Sequence, residues 1–221
     1  GYNNVFFIIG TCCNIPRKNR VQYDCEIKSQ PSAHDKKNAD EDCRREDQKI
    51  ETEQNQHGDM IVMDETDEYR HLPQKVKYAY SWGLEHTNAE WFVKVDDDFF
   101  VNVGKLNKYL TTTFDADKNM VVGHIADGWK VPRGGKWAER TYKPHRYPKF
   151  PLGSCGHAVS RSVASYVSTN TKTLFNYQGE DVSMGIWLDE SPLKRSVVWK
   201  NDPHFKNNGK CAAKDVYVVG H

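Results

Sequence analysis

The chain has 221 residues, with 31 Lys and Arg against 30 Asp and Glu and a formal charge of +1. That length fits one large domain or two small lobes, and the balance gives no reason to expect nucleic acid or a membrane surface to be drawn by net charge. No apolar run approaches the ~20 residues that span a bilayer. "VFFIIG" is too short and wrongly flanked for a signal peptide, so any anchor or targeting segment is expected outside this chain.

"NVFFIIG" (4–10) is β-branched and aromatic and closes on Gly10, which predicts a buried strand. From Cys12 to about His57 the chain is dense in charge and poor in apolar residues, the pattern of a solvated loop leading into an exposed helix. Cys25 and Cys43 could staple this stretch in an oxidising compartment. All six cysteines lack C-x-x-C spacing, which argues against structural zinc, and an even count permits disulfides without proving them. There is no Asn-x-Ser/Thr sequon, so glycosylation gives no vote on compartment.

"DMIVMD" (59–64) predicts a second buried strand. A helix over 67–87 follows, with Val76, Tyr80, Gly83 and Leu84 on one face and Pro73 in its first turn. "EWFVKVD" (90–96) is a third strand, and a helix is expected near Val103 to Leu110. Strand and helix alternating in this way predict an α/β fold with a mostly parallel central sheet flanked by helices and right-handed crossovers. Further along, "MVVGH" (120–124) is a strand and 127–137 a Gly-, Pro- and Trp-rich loop. Residues 155–170 read as a strand turning into a helix, 179–190 as a helix opened by two acids, and 214–221 as a short strand.

The chemistry concentrates in three places. Asp96, Asp97 and Asp98 sit where the third strand ends, and ligands of a parallel sheet bind at carboxyl ends of strands. Adjacent carboxylates repel and are costly to desolvate without a cation. Together they make a hard-oxygen set for Mg²⁺ or Mn²⁺; the plainer reading is a helix cap and a solvated turn. Glu180 and Asp181 occupy a first helical turn, where the helix dipole favours the ionised carboxylate. They are a capping pair or the home of a general base. Of the nine histidines, His221 at a strand end is the first candidate metal ligand and His204 in "NDPHF" the second.

"EQNQHGDMIVMDETDEYRHLPQKV", "WFVKVDDDFFVNVGKL", "YPKFPLGSCGHAVS" and "YQGEDVSMGIWL", in this order, resemble the β-1,3-galactosyltransferases of glycosyltransferase family 31. The resemblance covers the first strand and the chain from about His57 onward. It implies a GT-A-like fold, with residues 1–112 as the nucleotide-sugar and metal half and 113–221 as a looser half bearing the acceptor site and the base. It also implies an inverting, Mn²⁺-dependent transferase in the Golgi or endoplasmic reticulum lumen, held at the membrane only through a segment absent from this chain. Its partners are a UDP-sugar donor and a glycan or glycoprotein acceptor, with no nucleic acid. UDP-galactose is the favoured donor, UDP-GalNAc or UDP-GlcNAc the alternative, and the galactose of the proteoglycan linker one candidate acceptor.

Residue by residue, the resemblance makes Asp181 the base and Asp98 and His221 metal ligands. It sets Asp96, Asp97, Lys75, Trp137 and Glu180 at the nucleotide-sugar, with Tyr147 near the sugar or acceptor. Two departures stand out. The family's upstream strand and its arginine-containing stretch are not in this chain, so either the chain is a fragment or the nucleotide is held differently. In addition, Ser154, Cys155, Gly156 and His157 replace a Gly-Gly-Gly-Tyr stretch, which bears on sugar preference. Two other readings remain: a metal-dependent nucleotidyltransferase, which needs no "GEDVSMG", and a glycan-binding module without catalysis.

Overall fold

A computed structural model describes residues 5–21, 24–207 and 217–220. The chain forms two compact units, Tyr2–Lys75 and Val76–His221.

In the first unit, β1 (Phe7–Thr11) pairs in parallel with β2 (Met60–Thr66), Phe7 opposite Met60 and Ile9 opposite Val62. The connection is α1 (Ala33–His57). Ser32 caps it by accepting the Asp35 N–H, and Gly58, in the left-handed region at φ 68°, ends it. Those are the start and stop signals of a helix. Along α1 the described side chains are exposed or half-buried except for Cys43, as its composition predicts. Packing therefore contributes little to its position, and one covalent bond replaces it: Cys12 bonds Cys43 of α1, while Cys13 and Cys25 close the loop before the helix.

α2 (Leu72–His86) leads into the second unit and buries Val76 and Tyr80 with Leu84 against it, the face its periodicity predicts. Then come β3 (Trp91–Lys94), β4 (Phe100–Val101), α3 (Val103–Thr113), β5 (Met120–Gly123), β6 (Ile125–Ala126), β7 (Phe150–Pro151) and β8 (His157–Ser160). α4 (Arg161–Thr169), α5 (Glu180–Asp189), β9 (Val198–Asn201), β10 (Phe205–Asn207) and β11 (Val218–Gly220) complete it.

The larger sheet has the order β3-β8-β5-β9, and β8 is antiparallel to both of its neighbours while β5 and β9 are parallel. The expected mostly parallel sheet is thus a mixed one. The reason is the connection. A parallel return needs a crossover, usually a helix. After β5 the chain instead makes a loop over 127–149 that has no helix among its described residues, and the antiparallel pair β6–β7 turns it back. The chain re-enters at the edge it left, so β8 runs antiparallel.

β5 and β8 are buried along their whole length, and their alternating side chains feed two cores. Val121 and Val159 face one formed with α2, α4 and α5, including Trp187 and Met184. Val122 and Ala158 face another with Leu106 and Leu110 of α3, Phe205 and Val218. Each of the buried Val, Leu, Met and Phe side chains among them contributes about 1.5–3 kcal/mol by leaving water. A third cluster, of Val131, Tyr147 and Phe150, seats the long loop on Val182 and Ile186 of α5. Gly185 allows that approach, because a Cβ there would lie 2.5 Å from the Lys149 carbonyl oxygen and 2.6 Å from the Phe150 Cβ.

Candidate active site

The aspartate run is the turn between β3 and β4, closed by the Phe99 N–H donating to the Asp96 carbonyl at 3.3 Å. Asp97 and Asp98 are exposed. Asp96 is 43% exposed and its Oδ1 lies 2.5 Å from the Lys94 ammonium. β11 pairs antiparallel with β4, Val219 opposite Phe100, so its carboxyl end runs toward this turn. His221 lies outside the described residues.

α5 supplies the other half. Its cap residue Gly179 leaves Glu180 and Asp181 in the first turn, as expected. Asp181 is half-buried; its Oδ2 accepts the Gly153 N–H at 3.2 Å and its Oδ1 accepts the Val182 N–H at 2.7 Å. Crowding strips water from this carboxyl and the Glu180 charge beside it adds to the effect, so its pKa is pushed up to about 7 despite the two N–H donors and Lys94. Glu180 is buried at 7% exposure and receives the Lys94 ammonium at 2.7 Å. Burial opposes its ionisation, but the Lys94 charge and hydrogen bond outweigh it and hold the carboxyl below its usual value. Burial alone would discharge Lys94; Glu180 and Asp96 instead raise its pKa above that of a free lysine.

Behind this group His157 is fully buried, its Nε2 3.4 Å from the Tyr80 hydroxyl and its Nδ1 without a hydrogen-bond partner. Burial, then the Lys94 charge, lowers its pKa to about 3, so it is neutral at physiological pH.

The long loop carries Trp137, 50% exposed, with the Lys136 ammonium 4.4 Å from its ring centre. Glu139 is buried and accepts from the Thr141 N–H at 2.5 Å, the Tyr142 N–H at 2.8 Å and the Gln178 N–H at 2.8 Å. Gln178 immediately precedes the cap of α5. Tyr147 is buried with its hydroxyl unpartnered, and burial together with Glu139 and Asp181 raises its pKa.

Lys94 thus joins Asp96 to Glu180, the neighbour of Asp181 on α5, while Asp97 and Asp98 stand outside that network among the described residues. Lys75, in the first unit, donates to both carboxylate oxygens of Asp67 at 2.7 and 2.8 Å. His204 is engaged through its Nδ1, 2.7 Å from the Asp202 Oδ1, and stacks on Tyr217. Asp202, itself buried, also accepts from the Tyr109 hydroxyl at 2.6 Å. Among the described residues no three His, Cys, Asp or Glu side chains gather closely enough to hold a metal ion.

Sequence reasoning missed Lys94 and Glu139. Lys94 had a signal, a cation inside the apolar run "WFVKV" two positions before an acid. Glu139 had none, because its partners are backbone N–H groups.

A mixed α/β domain with an open acid turn at one strand end, bridged to a pair of acids at a helix start, is the class that fold and site define. The profile of the Galactosyltransferase family matches residues 37–197, and the chain belongs to that family. Its curated relatives include UDP-GalNAc:beta-1,3-N-acetylgalactosaminyltransferase 2 of Danio rerio, 34% identical over 173 residues, 78% of this chain and 33% of the relative. The Homo sapiens protein of that name is 35% identical over 151 residues, covering 68% of this chain and 30% of its own length. Probable beta-1,3-galactosyltransferase 3 of Arabidopsis thaliana is 32% identical over 151 residues, covering 64% and 36%. The chain spans about a third of the length of these relatives.

Proposed function

We propose that the protein containing this chain is an inverting, divalent-metal-dependent β-1,3-hexosyltransferase that moves a sugar from a UDP-sugar to a glycan hydroxyl. The observation that carries this reading is Asp181, a crowded carboxyl with a pKa of about 7, bridged through Glu180 and Lys94 to the acid turn. A general base works best with a pKa near the working pH. Asp181 accepts the proton of the attacking acceptor hydroxyl. Attack opposite the departing diphosphate inverts the anomeric centre. The N–H groups of Gly153 and Val182 fix the orientation of the carboxylate.

The turn fits a hard cation: Asp97 and Asp98 are exposed oxygen donors with no described ion pair. Asp98, with His221, would hold Mn²⁺, and such an ion supplies positive charge to the leaving diphosphate. Asp96, Asp97, Lys75, Trp137 and Glu180 are assigned to the nucleotide-sugar, and Tyr147, whose hydroxyl is unpartnered, to a sugar hydroxyl. For the donor, UDP-galactose and UDP-GalNAc are the two readings. The names of the relatives in zebrafish and human favour UDP-GalNAc; the Arabidopsis name favours galactose. Two disulfides support a lumenal, secretory compartment. No described helix is long and apolar enough to cross a membrane; membrane attachment through a segment outside this chain is part of the proposal.

The test uses the full-length protein with UDP-galactose and UDP-GalNAc, β-galactoside and xyloside acceptors, with and without Mn²⁺. Metal-dependent transfer with inverted configuration is expected. UDP binding without sugar transfer to any acceptor would sink the enzymatic reading.

A further inference from the structure

Lys94 is the one described cation bonded to both the acid turn and the base helix. Its side chain is 13% exposed, and its ammonium lies 2.5 Å from Asp96 and 2.7 Å from Glu180, a partner 86 residues away. Its backbone is fixed in β3, opposite His157 of β8. The two acceptors are unequal. The Glu180 side chain is 9% exposed and confined, since even a Cβ on Gly153 would come within 2.8 Å of its Oε1, whereas Asp96 is 43% exposed and free to exchange partners.

We infer that Lys94 is a positioning residue shared by two carboxylates, and that ligand bound at the acid turn, by competing for Asp96, drives Lys94 onto Glu180 and readies Asp181 to take a proton. The inference rests on the reading of Asp181 as the base. Several groups face that carboxyl. Glu180 adjoins it on α5, Lys94 reaches in from β3, and Tyr147 comes from the long loop. His157 of β8 and Tyr80 of α2 lie behind Glu180. His157 is neutral and Tyr80 is held in its protonated form by burial, then by the Glu180 charge. The balance against Asp181 is therefore set by Glu180 and Lys94. While Lys94 is divided between two acids, Glu180 keeps part of its repulsion on Asp181; once Lys94 belongs to Glu180 alone, that repulsion falls. The base is then more fully ionised when donor is present than before it binds.

Proton release on binding UDP with Mn²⁺ tests this, measured calorimetrically at pH 6.5 in two buffers of different ionisation heat on the full-length protein. For a downward shift of about one unit at Asp181, the parent should release about half a proton more than Asp181→Asn. The charge-free pair Lys94→Met with Glu180→Gln should release no more than Asp181→Asn, and Lys94→Arg should restore the parent value. Should the double variant fail to melt cooperatively, Glu180→Gln alone makes the same comparison, because it leaves Lys94 to Asp96. Equal release by parent and Asp181→Asn, with UDP bound by both, overturns the coupling. So does parent-like release by the charge-free variant. Turnover of Asp181→Asn, followed alongside, separates the two ideas: unchanged turnover removes the base, whereas lost turnover with equal proton release removes only the role of Lys94.

Discussion

At Asp181, stability and turnover depend on pH with opposite signs. Its folded pKa is raised from 3.8 to about 7, so the fold favours the protonated form. Its contribution to stability is complete below pH ~4 and is lost as pH rises through about 7. Turnover needs the ionised form and rises over the same window. Asp181→Asn should therefore keep the fold and bind UDP, while turnover falls about 10²–10⁴-fold. Its melting temperature relative to the parent should improve as pH climbs from 4 to 7; a capping role alone predicts a loss of ~1 kcal/mol with turnover intact. Asp98→Ala should lose metal-dependent UDP binding by titration calorimetry. Its stability without metal should hold or rise slightly, since one of three adjacent like charges is gone. Undiminished binding of UDP and Mn²⁺ would remove Asp98 from the metal site.

At the scale of elements, the long loop and α5 are tied by one carboxylate. Glu139 accepts three backbone N–H groups, two from its own loop and one from Gln178. Glutamine offers one oxygen, so Glu139→Gln must turn its amide N–H toward at least one backbone donor. An unmet buried donor costs about 1–3 kcal/mol. Thermal melting should show that loss, and hydrogen exchange should report it at Gln178 or at Thr141 and Tyr142. Parent-like exchange at all three would mean that the loop is held by its aromatic packing alone. The loop itself was legible from Gly, Pro and Trp in 127–137. Its anchor was not, because a carboxylate that bonds backbone N–H groups leaves no complementary residue type in the sequence.

At the scale of the molecule, the first unit depends on covalent closure. Cys12–Cys43 spans 31 residues and Cys13–Cys25 spans 12. The loop-entropy account makes these worth about 3–4 and 3 kcal/mol. Reduction should therefore speed exchange at the β1 and β2 amides and lower the melting transition relative to the unreduced protein. Exchange unchanged by reductant would show that β1–β2 pairing alone suffices.

The sequence by itself determined much of the local order: where β1, β2, β3, β5, β8 and the helices α2 to α5 fall, though not the short strands β4, β6, β7, β9 and β10, that α1 is a solvated helix, and that acid groups stand at the end of β3 and the start of α5. Those are properties of neighbours, encoded in hydrophobic period, caps and residue type. The tertiary structure decided the rest. It turned the expected parallel sheet into a mixed one, because strand direction follows from where the loop over 127–149 returns the chain. It also brought Lys94 to Glu180 across 86 residues, because ion-pair partners are chosen by sheet register and burial, which no local pattern of residues records.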